Sequence, residues 1–399
     1  MSDQYSFPDS FLWGTAIAAH QVEGNNKNND WWRWEQSKTP DRKYPLEPSN
    51  EACDFYNRYE EDFDICQEFN TNAIRLSVEW ARIQPKIDVY DQTAIDHYKK
   101  MFMAARERGL QIFLTLHHFT SPVWFADRGG WHARDAVAIF RQYAQVCAEE
   151  FSDYVDAFIT INEPQVYALK SYTDGTWPPN LRNPWLSYYV QINLMRAHRS
   201  AYDAIKTICD TPVGLAKNIV WYDTNPFASN LIDRAAARFL NYLNDDFFLL
   251  PLMGKIDFLG LNYYFTQRLH YLRIDNPNDY VSDMGWWINP GGLGEILQKL
   301  KKYKVPIYIT ENGLADATDR YREHFLRDML IACGQAILSG VDLRGYFHWS
   351  LMDNYEWHEG FWPRFGLVEI DREHNLARKP RQSFYYYAKV CQNNTVEVN

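Results

Sequence analysis

The 399-residue chain contains eight short, almost entirely apolar runs, rich in β-forming residues and spread along its whole length. Each run is followed by a segment whose apolar residues recur at the i, i+3, i+4 spacing of an amphipathic helix, as at 136–146 and 192–205. The pattern predicts strands at 11–18, 73–78, 111–117, 157–162, 213–218, 257–264, 306–310 and 345–349.

Strand and helix therefore alternate eight times, and no linker rich in Pro, Ser or Gly interrupts them. Strands that are apolar on both faces are typical of a parallel sheet covered by helices, and eight such units close into a barrel. A length of 399 residues would otherwise suggest two or three domains. We predict an α/β protein with one domain over residues 1–399, a (β/α)8 TIM barrel.

The composition and charge of the chain exclude several classes of function. Acidic residues outnumber basic ones by 51 to 41, so no broad basic surface exists for a nucleic-acid partner. The apolar runs fall short of the roughly 18 residues of a membrane span, and the first residues do not resemble a secretory leader. The six cysteines form no C-x-x-C pair, which argues against a zinc site or a disulfide scaffold. We therefore expect a cytoplasmic protein without a membrane partner.

Polar residues gather where the predicted strands end. In a barrel of this kind the active site lies at the carboxyl ends of the strands, so we expect these side chains to face one pocket. They are Arg75, Glu79, His117, His118, Asn162, Glu163, Asn262, Tyr263, Tyr264, Glu311 and Asn312, with Asp353, Asn354, Glu356 and Trp357 after the eighth strand. Aromatic residues make up 16% of the chain; they stack on sugars, although they also fill cores.

Two of these residues, Glu163 and Glu311, end strands four and seven and are expected on opposite walls of the barrel mouth. Cleavage of an acetal needs an acid for the departing oxygen and a nucleophile or base for the anomeric carbon. Carboxyl groups about 5 to 5.5 Å apart follow the covalent, retaining route, but the sequence does not supply the distance. For either glutamate alone, a structural ion pair is the favoured explanation. The two together, with Asn, Arg and Tyr at neighbouring strand ends, favour a pair of carboxyl groups that hydrolyses an acetal.

Four segments carry a family resemblance. Residues 160–164 read TINEP, residues 309–313 read ITENG, residues 345–357 read GYFHWSLMDNYEW, and residues 364–368 read RFGLV. The first two resemble the acid/base and nucleophile motifs of glycoside hydrolase family 1, and the last two resemble that family's final strand and substrate loop. The resemblance runs from about residue 7 to residue 387 and so covers nearly the whole chain.

The resemblance implies a division of labour between the two glutamates. Glu311 is expected to be the nucleophile, and Glu163 the general acid that later acts as base. Arg75 is expected to pair with Glu311 and keep it ionised, while Tyr264 donates a hydrogen bond to it. Glu163 has no such partner in its motif and is expected to keep a raised pKa. Asn162 is expected to bind the sugar 2-hydroxyl.

The resemblance also implies a substrate site for a small carbohydrate. Trp286 is expected to flank the leaving group, although either Trp286 or its neighbour Trp287 is a core residue. No cofactor is implied, and His117 with His118 lacks the companion ligands of a metal site. The remaining sugar contacts are expected at Gln21, His118, Trp349, Glu356, Trp357 and Phe365.

The predicted function is that of a retaining β-glycosidase of the β-glucosidase type, which releases terminal non-reducing β-linked glucosyl or related residues from short oligosaccharides and aryl or alkyl glycosides. The alternatives are a 6-phospho-β-glycosidase, a transglycosylase and a sugar-binding module without turnover. Glu356 stands where phosphoglycosidases of the family carry serine, and a carboxylate there repels phosphate.

Shortened loops around 251–259, 264–286 and 313–321 predict an open, less selective leaving-group site. Phe119 replaces the usual tryptophan, which leaves the choice among glucose, galactose, fucose and mannose open.

Overall fold

At the centre of the protein is a closed barrel of eight parallel strands, seen in a computed structural model that describes residues 4–37, 47–225 and 230–398. The strands pair in sequence order, and the eighth pairs with the first. The barrel that the strand and helix alternation predicted is therefore confirmed. Its strands β1 to β8 are Leu12–Ala16, Ala73–Ser77, Gln111–His117, Ala157–Asn162, Val213–Asn218, Phe258–Asn262, Ile307–Asn312 and Leu343–Trp349.

A long helix follows every barrel strand. In the helix after β3, Phe140, Tyr143 and Ala144 are buried at the predicted i, i+3, i+4 spacing. Among the described residues, no helix combines the length and the apolar character needed to cross a membrane. The helices α1 to α8 are Phe55–Glu68, Gln92–Glu107, Ala136–Phe151, Pro184–Lys206, Leu231–Asn241, Pro290–Leu300, Arg322–Leu338 and Gln382–Asn393.

Shorter helices and small sheets lie outside the barrel. The short helices and helical turns are Ala19–Val22, Asp30–Glu35, Trp80–Ile83, Val123–Asp127, Gly130–His132, Pro164–Ala168, Leu169–Thr173, Tyr242–Asp246, Phe247–Leu249, Leu250–Leu252, Lys301–Tyr303 and Trp357–Glu359. Small sheets outside the barrel are formed by Gln4–Ser6 with Thr395–Glu397, by Trp221–Thr224 with Thr266–His270 and Arg273–Ile274, and by Val368–Asp371 with Ala377–Pro380.

The predicted strand boundaries match the structure at 111–117, 157–162 and 213–218. The seventh strand was predicted too short, because Glu311 and Asn312 continue the ladder by pairing with β6 and β8. The sixth was predicted too long, since β6 ends at Asn262. Glu311 is paired with Asn262 of β6 and the next residue, Asn312, with His348 of β8, which places a candidate catalytic side chain on a rigid element.

Large aromatic side chains fill the amino-terminal part of the barrel. The ring of Phe113 lies 5.6 Å from that of Phe258, 4.9 Å from that of Tyr308 and 5.0 Å from that of Phe347. A Cβ atom on Gly14 would meet the Phe347 ring at 2.5 Å, so only glycine fits there. The interior is a packed core and not a pore.

Candidate active site

A cavity of about 400 Å³ lies at the carboxyl ends of the barrel strands. Three predicted residues stand directly behind its wall: Gln21, Arg75 and Asn162 contact Glu356, Glu311 and His118, respectively. The other nine predicted site residues line the cavity: His118, Glu163, Tyr264, Trp286, Glu311, Trp349, Glu356, Trp357 and Phe365. Residues from all parts of the chain therefore meet at one place.

Both carboxylate oxygens of Glu311 accept hydrogen bonds. The Arg75 guanidinium donates from Nη1 to Oε1 at 2.5 Å, and the Tyr264 hydroxyl donates to Oε2 at 2.6 Å. The bonds predicted from the sequence are both present. A carboxylate held in this way has a defined orientation and partial charge neutralisation.

Arg75 is itself fully buried and held on all sides. Its Nε donates to Thr115 on β3 at 3.2 Å, Nη1 also donates to the carbonyl of Thr310 at 3.2 Å, and Nη2 donates to Asn162 Oδ1 at 2.6 Å. The guanidinium thus joins the ends of β2, β3, β4 and β7. A buried cation with this many partners is a fixed point for the groups around it.

Glu163 follows β4 directly and has a left-handed backbone conformation with φ 40° and ψ 57°. Its backbone N–H donates to the carbonyl of Ala216 on β5 at 2.8 Å. The Asn262 side chain donates from Nδ2 to its Oε1 at 2.8 Å. The expectation that Glu163 has no partner is therefore corrected: β6 supplies one. A glutamate in this backbone region is uncommon and typical of positions that the surrounding structure over-determines.

Burial raises the pKa of both carboxyl groups. The pKa of Glu163 rises to about 8, because of burial first and the charge of Glu311 second, while the Asn262 hydrogen bond opposes the rise. The pKa of Glu311 is also raised by burial, against the effect of Arg75 and Tyr264. Arg75 and Tyr264 were expected to favour the ionised form of Glu311; both do lower its pKa, but desolvation outweighs them. Because Glu311 has a guanidinium and a phenol as donors, the proton of the pair belongs on Glu163.

Two of the residues predicted to bind the sugar each have one buried polar atom without a partner in the described part of the chain. Gln21 donates through Nε2 to the carbonyl of Tyr355 at 2.9 Å and to Asn354 at 3.1 Å, but its Oε1 is buried and unpaired. His118 contacts Asn162 through Nε2 at 3.1 Å, and its Nδ1 is buried and unpaired. Burial lowers the pKa of His118 well below its usual range, so its ring is neutral. Buried polar atoms of this kind need a partner, and hydroxyl groups can supply one.

Aromatic rings form much of the remaining surface. The His118 ring is nearly parallel to the rings of Trp349 and Trp357, with centroids 5.9 Å away in each case. Trp286 lies 5.6 Å from Tyr264 and 6.1 Å from Phe365. These are the flat apolar surfaces on which a sugar ring stacks.

The structure separates the two adjacent tryptophans. Trp286 lines the cavity. Trp287 is only 5% exposed, donates to Asp279 at 2.9 Å and faces the Arg268 guanidinium at 4.8 Å. Trp287 is the core residue of the pair.

Sequence reasoning missed the polar end of β5. Lys217 and Asn218 line the cavity, and burial lowers the pKa of Lys217 to about 7. Both stand at the carboxyl end of a strand, so the search for polar residues at strand ends that identified the other site residues would also have identified these two. Asn262 was noticed as a strand end, but its contact with Glu163 was not foreseen. Other lining residues that were not predicted are Gln165, Lys170, Trp177, Tyr222, Asn244 and Met284.

Comparison with known proteins connects this cavity to one family. The model of "Glycosyl hydrolase family 1" matches residues 3–253 and 245–396. β-Glucosidase A of Thermotoga maritima is 32% identical over 448 aligned positions, which cover 98% of this chain and 99% of that protein.

Solved structures agree with the sequence comparison. The β-glycosidase from Pyrococcus horikoshii superposes with a TM-score of 0.91 at 35% identity, covering 99% of this chain and 96% of that one. The family 1 β-glucosidase from Thermotoga maritima superposes with a TM-score of 0.92 at 30% identity, covering 99% and 100% of the two chains. The chain therefore belongs to glycosyl hydrolase family 1 and is a glycoside hydrolase of the β-glucosidase type.

Proposed function

We propose that the protein is a retaining β-glycosidase in which Glu311 is the nucleophile and Glu163 is the acid and base. The barrel and its loops would form one catalytic domain over the whole chain. The observation that carries this proposal is the asymmetry of the two carboxyl groups: Glu311 accepts from Arg75 and Tyr264, whereas Glu163 has a pKa raised to about 8. Two carboxyl groups with environments that push their pKa values apart are suited to opposite roles.

In the first step Glu311 attacks the anomeric carbon as a carboxylate. The bond between that carbon and the glycosidic oxygen breaks, and Glu163 gives its proton to this oxygen, so the leaving group departs as an alcohol. The product is an ester between Glu311 and the sugar. The raised pKa of Glu163 keeps the acid protonated near neutral pH until it is needed.

In the second step Glu163, now a carboxylate, takes a proton from water. The hydroxide oxygen forms a bond to the anomeric carbon, the ester bond to Glu311 breaks, and both carboxyl groups return to their starting state. Two inversions give net retention of the anomeric configuration.

Retention requires the two carboxyl groups to be about 5 to 5.5 Å apart. The shared donor Asn262 supports a short separation, because its amide contacts Glu163 at 2.8 Å and also lowers the pKa of Glu311 by hydrogen bonding. An inverting enzyme would need space for a water between the carboxylates.

The substrate proposed is an unphosphorylated β-glucoside or a close relative. Gln21 and His118 have unpaired polar atoms suited to sugar hydroxyls, and Glu356 lines the cavity beside them. Burial, with the charges of Glu311 and Glu163, raises the pKa of Glu356 to about 8. The negative charges that help to hold the proton on Glu356 also oppose a phosphate dianion beside it. The names of the relatives, β-glucosidase and β-glycosidase, support glucose as the first sugar to test.

The test is proton NMR of an aryl β-D-glucoside during hydrolysis, recorded before mutarotation mixes the anomers. We expect β-glucose to form first. Initial formation of α-glucose would refute double displacement by Glu311. Hydrolysis of a 6-phosphoglucoside with no hydrolysis of the free glucoside would refute the proposed substrate class.

A further inference from the structure

Helix α5 is inverted relative to an ordinary surface helix. Its buried side chains include Asp233 and Asn241, two polar residues. A helix packed on a barrel normally turns its apolar side inward. In α5 the large apolar side chains point outward instead: exposure is 77% at Leu231, 65% at Ile232 and 60% at Phe239.

The polar buried side anchors the helix. Asp233 accepts hydrogen bonds from the backbone N–H groups of Tyr271 at 3.0 Å and Leu272 at 2.8 Å. Asn241 exchanges two hydrogen bonds of 2.9 Å with the backbone of Tyr222, a residue that lines the cavity. Polar contacts therefore fix α5 beside the cavity, with Leu231, Ile232 and Phe239 left exposed.

A hairpin adds a second apolar element next to α5. Its tip, between Thr266–His270 and Arg273–Ile274, consists of Tyr271 and Leu272 with φ angles of 49° and 59°. Two-residue turns with both φ angles positive are normally occupied by Asn and Gly. Here the two side chains are large, apolar and exposed by 73% and 60%. We name Leu231, Ile232, Phe239, Tyr271, Leu272 and Ile274 together the α5 face.

Cationic side chains border this apolar surface. Arg234 and Arg238 are exposed one helical turn apart on α5, and Arg273 is exposed on the hairpin. The acidic residues nearby are engaged: Asp233 is buried against the hairpin, and Asp275 pairs with His270 at 3.2 Å. Three arginines, Arg234, Arg238 and Arg273, outnumber the two aspartates, so the α5 face is locally positive on a chain whose formal net charge is −10.

We propose that the α5 face docks on a lipid bilayer that contains anionic lipids. An amphipathic helix lying in the interface buries its apolar residues at the boundary of the acyl chains while its arginines reach the phosphates. This is attachment to a surface and needs no helix that crosses the membrane. The inference does not rest on the proposed catalytic mechanism, because none of the residues of the α5 face lines the cavity.

A second copy of the chain is the less suitable partner. A two-fold contact through this face would bring the arginines of one copy near those of the other. Like charges at short range oppose such a contact. Anionic headgroups, in contrast, complement the arginines.

The test is co-sedimentation of the full chain with vesicles of phosphatidylcholine alone and with vesicles that also contain phosphatidylglycerol. We expect binding to the anionic vesicles and weaker binding to the neutral ones. The double variant Ile232→Ser/Phe239→Ser should bind at least about tenfold more weakly to the anionic vesicles. The affinity of the Arg234→Gln/Arg238→Gln variant for anionic vesicles should fall roughly fivefold per arginine, and its affinity for neutral vesicles should not change.

Leu338→Ser is the matched control, because Leu338 is as exposed as Leu231, at 77%, but lies at the end of α7. It should bind like the unaltered protein, and circular dichroism should confirm that every variant is folded. If the folded protein does not co-sediment with anionic vesicles, the proposal is overturned. A dimer in analytical ultracentrifugation that Ile232→Ser/Phe239→Ser dissociates also overturns it, since the face would then join two copies.

Discussion

The Asn262 side chain donates to Glu163 from its nitrogen at 2.8 Å, and its oxygen accepts from the hydroxyl of Thr310 at 2.6 Å. Thr310 immediately precedes Glu311, so one amide at the end of β6 ties the carboxyl end of β4 to that of β7. The relative position of the two glutamates therefore depends on a side chain that has no chemical part in the reaction. Support of this kind, from rigid strand ends, is what a reactive pair requires.

Removal of each carboxyl group should have a different signature. Glu311→Ala should lose about 10⁴-fold or more in kcat, because no nucleophile remains. Azide should then enter the space left by the side chain and give the α-glycosyl azide from an activated substrate. Glu163→Ala should instead accumulate the glycosyl ester, and azide should give the β-glycosyl azide. NMR of the azide products measures this directly, and the reverse assignment of anomers would exchange the two roles.

Tyr264→Phe should move the acidic limb of the pH profile of kcat/KM to higher pH. The hydroxyl of Tyr264 donates to the carboxylate of Glu311 at 2.6 Å and so favours the ionised form; its loss raises the pKa further. A hydrogen bond to a charged group is worth about 1.5 to 3 kcal/mol, so kcat/KM should fall roughly 10- to 150-fold. An acidic limb that does not move would show that the limb reports another group.

Glu163→Gln should stabilise the fold while it impairs catalysis. The pKa of Glu163 is about 8 in the folded protein and 4.5 as the ordinary value, so ionisation in the unfolded chain favours unfolding as pH rises from 4.5 to 8. Glutamine does not ionise in either state, so the variant does not lose free energy of unfolding as pH rises. We expect an increase in unfolding free energy of up to about 5 kcal/mol at pH 8 and almost none near pH 4.

Denaturant unfolding at the two pH values measures this difference. Glu150→Gln is a suitable control, because the carboxyl group of Glu150 is partly exposed and paired with Lys99 at 2.5 Å. This control should not gain stability at pH 8. Equal stabilisation of Glu163→Gln at both pH values would contradict an origin in ionisation.

The adjacent tryptophans should respond differently to truncation. Trp286→Ala removes a cavity wall and should raise KM for substrates with a bulky leaving group, with little change in thermal stability. Trp287→Ala removes a buried side chain and should cost about 3 to 5 kcal/mol of stability. Thermal unfolding together with kinetics on aryl and alkyl glucosides distinguishes the two. A leaving-group effect from Trp287→Ala without loss of stability would reverse the assignment.

Local patterns in the sequence determined the architecture and the place of the active site. Runs of apolar residues closed by polar ones define β3, β4 and β5 to the residue, because both faces of each strand are buried and the polar residue marks where burial ends. The TINEP and ITENG segments identified Glu163 and Glu311, since each motif is a continuous stretch of five residues that can be recognised without the fold.

The contacts between residues of distant segments were decided only by the closure of the barrel. Arg75 and Glu311 are 236 positions apart, and their contact, like that of Asn262 with Glu163, exists because eight strand ends meet in one ring. The same closure buries Glu311 so deeply that its pKa rises in spite of Arg75. Which of Trp286 and Trp287 faces the cavity, and that α5 turns its apolar side outward, also follow from packing against distant segments. Hydrophobic spacing predicts that a helix forms, but what covers each of its sides is a property of the assembled fold.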